Sequence, residues 1–187
     1  MPTAVATGAN PGIGNAFARL LIDEGWTVYA VDREIGPNIR DLDVNASHGY
    51  HVTLNKTLTT NAFGPLLLTQ ALLPGLTLSP SPRISNMSSR VGSMADNSTG
   101  GSYAYRASKA ALKSISKNLA IELEGKGIVV VIMHPGITRT AMDPSEHKRA
   151  GAVEPEVAAE KLYKVLMEKQ LEDSGKFWHR EGYEIPW

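Results

Sequence analysis

T-A-V-A-T-G-A-N-P-G-I-G-N-A-F-A-R-L-L-I-D-E-G-W-T-V-Y-A-V-D, from Thr3 to Asp32, carries a complete structural unit in thirty letters. Thr3 to Thr7 is a short apolar run that ends in the turn Gly8-Ala9-Asn10-Pro11-Gly12-Ile13-Gly14. A helical pattern starts at once, with Phe17, Leu20, Leu21 and the small Ala16 and Ala18 recurring until Gly25, a plausible stop. Trp26 to Val31 is β-branched and aromatic, predicts a buried strand, and delivers Asp32 at its end. Strand, glycine turn, helix, strand and acid make a phosphate-binding βαβ unit. Glycines let the backbone approach a pyrophosphate at a helix N-terminus, where unpaired N–H groups and the helix dipole favour negative charge. Asp32 stands eighteen residues past Gly14, the place from which a carboxylate accepts hydrogen bonds from an adenosine ribose.

Further along, Met87 to Leu112 reads as a catalytic cassette. Ser88 and Ser89 close an apolar segment, a Gly/Ser/Asn-rich loop follows, and a helix then carries Tyr105 and Lys109 four residues apart. That spacing stacks the two side chains on one helix face, with Cβ atoms about 5–6 Å apart. An ammonium beside a phenol favours the phenolate, so Lys109 is expected to lower a pKa that starts near about 10 and to fit Tyr105 for proton transfer.

The rest alternates in the same way. Thr59 to Pro74-Gly75 predicts a helix whose broad apolar face implies burial on more than one side, and Arg83 to Met87 a strand ending at the serines. The helix from about Tyr103 to Glu124 shows a wide stripe of Ala107, Ala110, Ala111, Leu112, Ile115, Leu119, Ala120 and Leu123. Lys113, Lys117, Glu122 and Glu124 are assigned to solvent. Ile128 to Met133 is continuous enough for a central parallel strand, Pro155 to Leu171 is a final helix, and Phe177 to Arg180 with Tyr183 to Trp187 forms an edge strand with a hairpin tail. Asn38 to Val44 and Tyr50 to Leu54 are candidate strands.

With 187 residues the chain fits one domain, residues 1–187. Nineteen basic and nineteen acidic residues cancel, so no global field favours nucleic acid or an anionic membrane. Cysteine is absent, which excludes disulfides, thiolate metal sites and Cys nucleophiles and suits a reducing compartment. His48 and His51 lack accompanying ligands and read as surface histidines, so no metal is expected. The start has no signal-peptide pattern, and the most apolar stretch, Pro65 to Leu76, is too short to span a bilayer. The expectation is a soluble cytoplasmic protein.

Five stretches in order resemble the short-chain dehydrogenase/reductase family, and within it the C-factor-like carbonyl reductase branch. They are T-G-A-N-P-G-I-G (Thr7 to Gly14), N-A-F-G-P (Asn61 to Pro65), N-M-S-S-R-V-G-S (Asn86 to Ser93), Y-A-Y-R-A-S-K (Tyr103 to Lys109) and H-P-G-I-T-R-T (His134 to Thr140). The resemblance covers roughly residues 3–44 and 61–187. It implies a Rossmann-like α/β fold, a doubly wound, mostly parallel sheet flanked by helices. It implies an NAD(P)-dependent oxidoreductase passing hydride between nicotinamide and a small carbonyl or alcohol. Tyr105 would be general acid or base, Lys109 would tune it and hold the nicotinamide ribose, Ser89 would bind the substrate oxygen, and Asn61 would shape a kinked helix and hold a relay water. Two hydroxyls converging on one oxygen are also what a developing alkoxide requires. The implied cofactor contacts are Gly8, Asn10, Gly12, Ile13, Gly14, Asp32, Asp43, Pro135, Gly136, Ile137, Thr138 and Thr140.

NAD is favoured over NADP because Asp32 would repel a 2′-phosphate and Pro11 stands where many NADP-using relatives carry Arg; Arg33 and Arg40 argue mildly the other way. The family's pairing of helices implies a homodimer or homotetramer.

One part of the pattern is missing. The family has a helix, then a fourth strand ending in Asn-Asn-Ala-Gly, before the segment matched by Asn61. From Val44 to Tyr50 the chain has six steps, which reach about 20 Å, whereas a right-handed parallel crossover normally takes about a dozen residues or more. The usual fourth strand is therefore expected to be missing or rearranged. This opens an alternative: a truncated, non-catalytic relative acting as a nucleotide-binding or heterodimerising regulatory protein.

Overall fold

The computed structural model describes residues 1–32, 57–142 and 144–187. The candidate strands at Asn38 to Val44 and Tyr50 to Leu54, and Asp43 with them, lie outside the described residues. The described residues fall in two compact units, one within Met1–His51 and Gly136–Tyr163, the other within Val52–Pro135 and Lys164–Trp187.

In the first unit, β1 (Thr3–Thr7) and β2 (Thr27–Val31) pair in parallel, Thr3 opposite Thr27 through Thr7 opposite Val31, and α1 (Gly12–Asp23) connects them. A parallel neighbour demands such a crossover, and the apolar spacing of α1 fills it. Ala18 and Leu21 of α1 pack with Ala9, Val28 and Ala30, and the Phe17 ring meets Tyr163 edge to face at 6.3 Å. Gly25 ends the turn after α1 with a positive φ of 80°.

The second unit holds a three-stranded parallel sheet in the order β3 (Arg83–Met87), β4 (Val129–His134), β5 (Phe177–His179). β4 is central, as its unbroken apolar run predicts, and Ile128 and Val130 to Met133 are fully buried. Among the described residues, the other edge of β3 has no strand partner. Helix α2 (Gly64–Leu76) follows a π-helical turn at Thr59–Phe63, and α3 (Tyr103–Leu123) packs against β4 and the π turn. α4 (Pro155–Glu168) is shorter than its apolar pattern suggests. The Arg83 guanidinium donates to the carbonyls of Leu166 (2.9 Å) and Lys169, satisfying orphan acceptors where the helix stops. The hairpin tail is present: Trp178 bridges Glu184 antiparallel, and Ile185 N donates to Phe177 O at 2.7 Å.

Two expectations about side chains need correction. Thr69 is the one buried residue of α2, and Leu67 on it is 61% exposed, so within one chain its broad apolar face is not covered on several sides. Lys113, assigned to solvent by its charge, is 0% exposed. It follows Tyr105 and Lys109 at the same four-residue interval, so the face that carries the candidate chemistry carries Lys113 inward too.

Candidate active site

The second unit assembles Asn61, Ser89, Tyr105 and Lys109. β3 runs on one residue past its end, Ser88 N donating to Met133 O at 2.8 Å, and the buried Ser88 hydroxyl donates to Lys109 O at 3.0 Å. The ammonium of Lys109 reaches back to Met87 O at 2.9 Å. The strand end and the helix that carries Tyr105 are thus tied by two bonds in opposite directions. A tight turn at Arg90–Gly92 completes the joint, and it needs glycine: a Cβ on Gly92 would lie 2.7 Å from Lys109 Cβ and 2.9 Å from its carbonyl carbon.

These ties bring the Ser89 hydroxyl into hydrogen-bonding contact with the Tyr105 phenol. The Lys109 ammonium lies 5.7 Å from the centre of the Tyr105 ring. Desolvation raises the Tyr105 pKa above the usual phenol value, and the bond to Ser89 offsets part of that rise. The expected lowering by Lys109 does not decide the balance in this structure. Burial instead lowers Lys109 itself to about 8. Near neutral pH the pair is a protonated phenol beside a still mostly protonated amine, the state in which Tyr105 gives up a proton rather than takes one.

Asn61 sits in the π turn Thr59–Phe63, a wide turn that kinks the entry to α2 and is often found at functional sites. Its Nδ2 donates to Ser108 Oγ at 3.1 Å, and Ser108 Oγ donates to Tyr105 O at 2.8 Å. Asn61 is therefore locked to the helix that carries Tyr105, through a fully buried serine to which sequence reasoning gave no role. A signal existed: a Ser inside a helix three residues after a key position can bond the carbonyl of that position. Ser88 and Gly92 act in the same way, through contacts that tertiary packing sets.

The first unit holds the nucleotide candidates. Gly8 and Gly12 have positive φ values of 65° and 64°, and a Cβ on Gly14 would stand 2.1 Å from Gly8 O, so α1 starts hard against the turn only because Gly14 has no side chain. α1 has no side-chain cap and no acid in its first turn, which leaves Ile13 and its neighbours presenting backbone N–H groups. Asp32 Oδ2 accepts from Asn10 N at 2.8 Å, so the carboxylate braces the turn as well as ending β2. Asn10 Oδ1 is buried without a hydrogen-bond partner. Thr140 Cγ2 lies 3.2 Å from where a Gly12 Cβ would be, which brings the Gly136 to Thr140 segment to the glycine turn. That segment is held by Thr138 bridging Val153 and by Val153 N donating to Ile137 O at 3.1 Å, with Gly136 at a positive φ of 67°. Pro135 belongs to the other unit, where its carbonyl accepts from Arg180 Nη1 at 2.7 Å. A bare glycine cradle, an orphaned buried acceptor and a carboxylate at the strand end fit a dinucleotide.

Among the described residues no cluster of His, Asp or Glu is arranged to hold a metal ion, and no helix is long and apolar enough to cross a membrane.

Residues 41–151 match the family model described as short chain dehydrogenase. The chain is 37% identical over 137 residues to C-signal of Myxococcus xanthus, covering 73% of this chain and 80% of that protein. It is 27% identical to 1-hydroxy-2-glutathionyl-2-methyl-3-butene dehydrogenase of Rhodococcus sp. (strain AD45), with both chains covered in full. The crystal structure of NADPH-bound carbonyl reductase from chicken fatty liver superposes with a TM-score of 0.84 at 25% identity, covering 100% of this chain and 98% of the other. The chain belongs to the short-chain dehydrogenase family and has its Rossmann-like α/β fold.

Proposed function

We propose that the protein is a nicotinamide-dependent oxidoreductase that interconverts a small carbonyl compound and its alcohol. The observation that carries this is the meeting of the Ser89 and Tyr105 hydroxyls beside Lys109. Two O–H donors at one point fit an oxygen on which negative charge develops, and in a dry site such donors act at full strength. In the reductive direction Ser89 holds the substrate oxygen and Tyr105 protonates it. Lys109, whose ammonium is anchored by Met87 O, supports the phenolate left behind. Asn61, fixed through Ser108, keeps the π turn next to the catalytic helix. The nicotinamide supplies or accepts the hydride when bound. Gly8, Asn10, Gly12, Ile13, Gly14 and Asp32 would hold its adenosine and phosphate end, and Pro135 to Thr138 with Thr140 the nicotinamide end.

Asp32 supports NADH over NADPH, because a carboxylate on the ribose repels a 2′-phosphate; the likeness to an NADPH-bound structure supports NADPH as an alternative. The exposed apolar side chains Phe63, Leu67 and Ile121 support a homodimer built on the helices. The test is reduction of a panel of small aldehydes and ketones with NADH or NADPH, followed at the nicotinamide absorbance. Tyr105→Phe should remove activity by a factor of about 10² or more. A normal rate in that variant would take Tyr105 out of the mechanism.

A second reading, a non-catalytic relative that has lost an internal piece, rests on two observations. Full coverage of both chains in the alignment with the Rhodococcus protein takes 231 positions against the 187 residues here. Among the described residues the strands form two separate parallel sheets. Tight binding of either nicotinamide dinucleotide in a calorimetric titration would count against it.

A further inference from the structure

Lys113 is among the largest fully buried side chains of the described residues, and its Nζ makes no hydrogen bond. An ammonium without a hydrogen-bond partner needs another source of stabilisation. The charge of Asp96 supplies part of it, and two ring faces supply more: Nζ lies 4.6 Å from the centre of Phe177 and 5.6 Å from that of Trp187. Phe177 belongs to β5, and Trp187 to the segment that folds back along it. Ile185 of that segment is buried with Ile132 and Phe177.

The same segment makes a second attachment. The buried Ser93 hydroxyl donates to Pro186 O at 3.0 Å and accepts from Asp96 N at 3.3 Å. Ser93 N in turn donates to Arg90 O at 2.9 Å, and Gly92 N to Ser89 O at 3.0 Å. Pro186 and Trp187 are therefore fastened at once to the loop that begins at Ser89 and to the helix that carries Tyr105 and Lys109. Lys113 stands one turn beyond Lys109 on that helix.

We propose that Lys113, Ser93 and Trp187 form a clamp that sets the position of Ser89 against Tyr105, each acting as a positioning residue rather than touching substrate. The clamp rests on the reductase reading for its catalytic consequence but not for its existence. Hydrogen exchange separates the two. In Trp187→Ala and in Lys113→Met, amides of residues 90–97 should exchange about tenfold or more faster than in the wild type, as expected when a local closed state loses its anchor. The amides of β4 should keep their protection, and Trp187→Phe, which keeps a ring over Nζ, should restore the loop. In the reductase assay the same two variants should lower kcat by about tenfold with the KM for the nicotinamide cofactor unchanged, the pattern of an interaction felt in the transition state. Wild-type exchange of residues 90–97 in both variants would overturn the clamp. If Lys113→Met does not fold, Ser93→Ala and Trp187→Ala carry the test. Faster exchange in these variants, together with a wild type devoid of reductase activity, would uphold the clamp and sink the function proposed above.

Discussion

Lys109 holds its ammonium 5.7 Å from the centre of the Tyr105 ring and 2.9 Å from Met87 O. Its neighbour Tyr105 has its pKa raised by burial despite the ammonium, and the ammonium has its own pKa lowered to about 8 by the same dry surroundings. The sign for stability follows. Between about 8 and the usual lysine value of 10.5, the unfolded chain carries a proton on Lys109 that the folded chain has released. Raising pH through that window therefore favours the fold. Lys109→Met removes this titration while keeping an unbranched side chain. The stability of the wild type relative to Lys109→Met, measured by urea unfolding, should rise from pH 8 to pH 10 and be flat below pH 7. A difference that falls across the window would show that Lys109 is stabilised, not penalised, by its site.

Elements were legible where local chemistry fixes them. The βαβ unit could be read because a glycine turn, a 3.6-residue period and a β-branched run each act over a few residues, and the parallel pairing of β1 with β2 follows once α1 forms the crossover. β4 could be read because an unbroken apolar run fits a strand covered on both faces. The ends of α4 and the face of α3 could not be read so well. Arg83, more than eighty residues away in sequence, caps α4. Lys113 turns inward because two distant aromatic rings receive it. The tetrad was legible as letters and spacing, whereas the pieces that hold it together, Ser88, Gly92 and Ser108, are defined by what packs on them. Ser108 makes this testable. Ser108→Ala removes the bridge between the π turn and the backbone of Tyr105, leaving Asn61 Nδ2 without that acceptor. Loss of a buried hydrogen bond with one partner left behind costs about 1–3 kcal/mol. In urea unfolding the variant should be less stable by that amount, and it should lose about tenfold in kcat in the reductase assay. Ser108→Thr, which keeps the hydroxyl, should recover part of both, and an Ala variant with full activity would show that Asn61 is placed without the bridge.

At the scale of the whole molecule the two readings of function divide on whether the glycine turn still holds a dinucleotide. The fold keeps the local requirements: Gly14 lets α1 meet the turn, Asp32 braces Asn10, and Thr140 closes on Gly12. The expectation of a missing or rearranged fourth strand falls on residues outside those described. Binding is linked to folding, so it can be read without any substrate. A ligand present at about a hundred times its Kd stabilises the folded chain by about 2.7 kcal/mol, which for a chain of this size raises Tm by roughly 5–11 °C. We expect NADH to give a shift of that order in a thermal melt and NADPH a smaller one, since the Asp32 carboxylate would repel a 2′-phosphate. Asp32→Ser should narrow the gap between the two cofactors, while Gly14→Val, which forces a side chain into Gly8 O, should abolish both shifts. Identical melts with and without either dinucleotide would leave the catalytic letters intact but without a hydride source, and would favour the non-catalytic relative. A shift with NADPH alone would keep the enzyme and move the specificity from Asp32 to a residue not yet assigned.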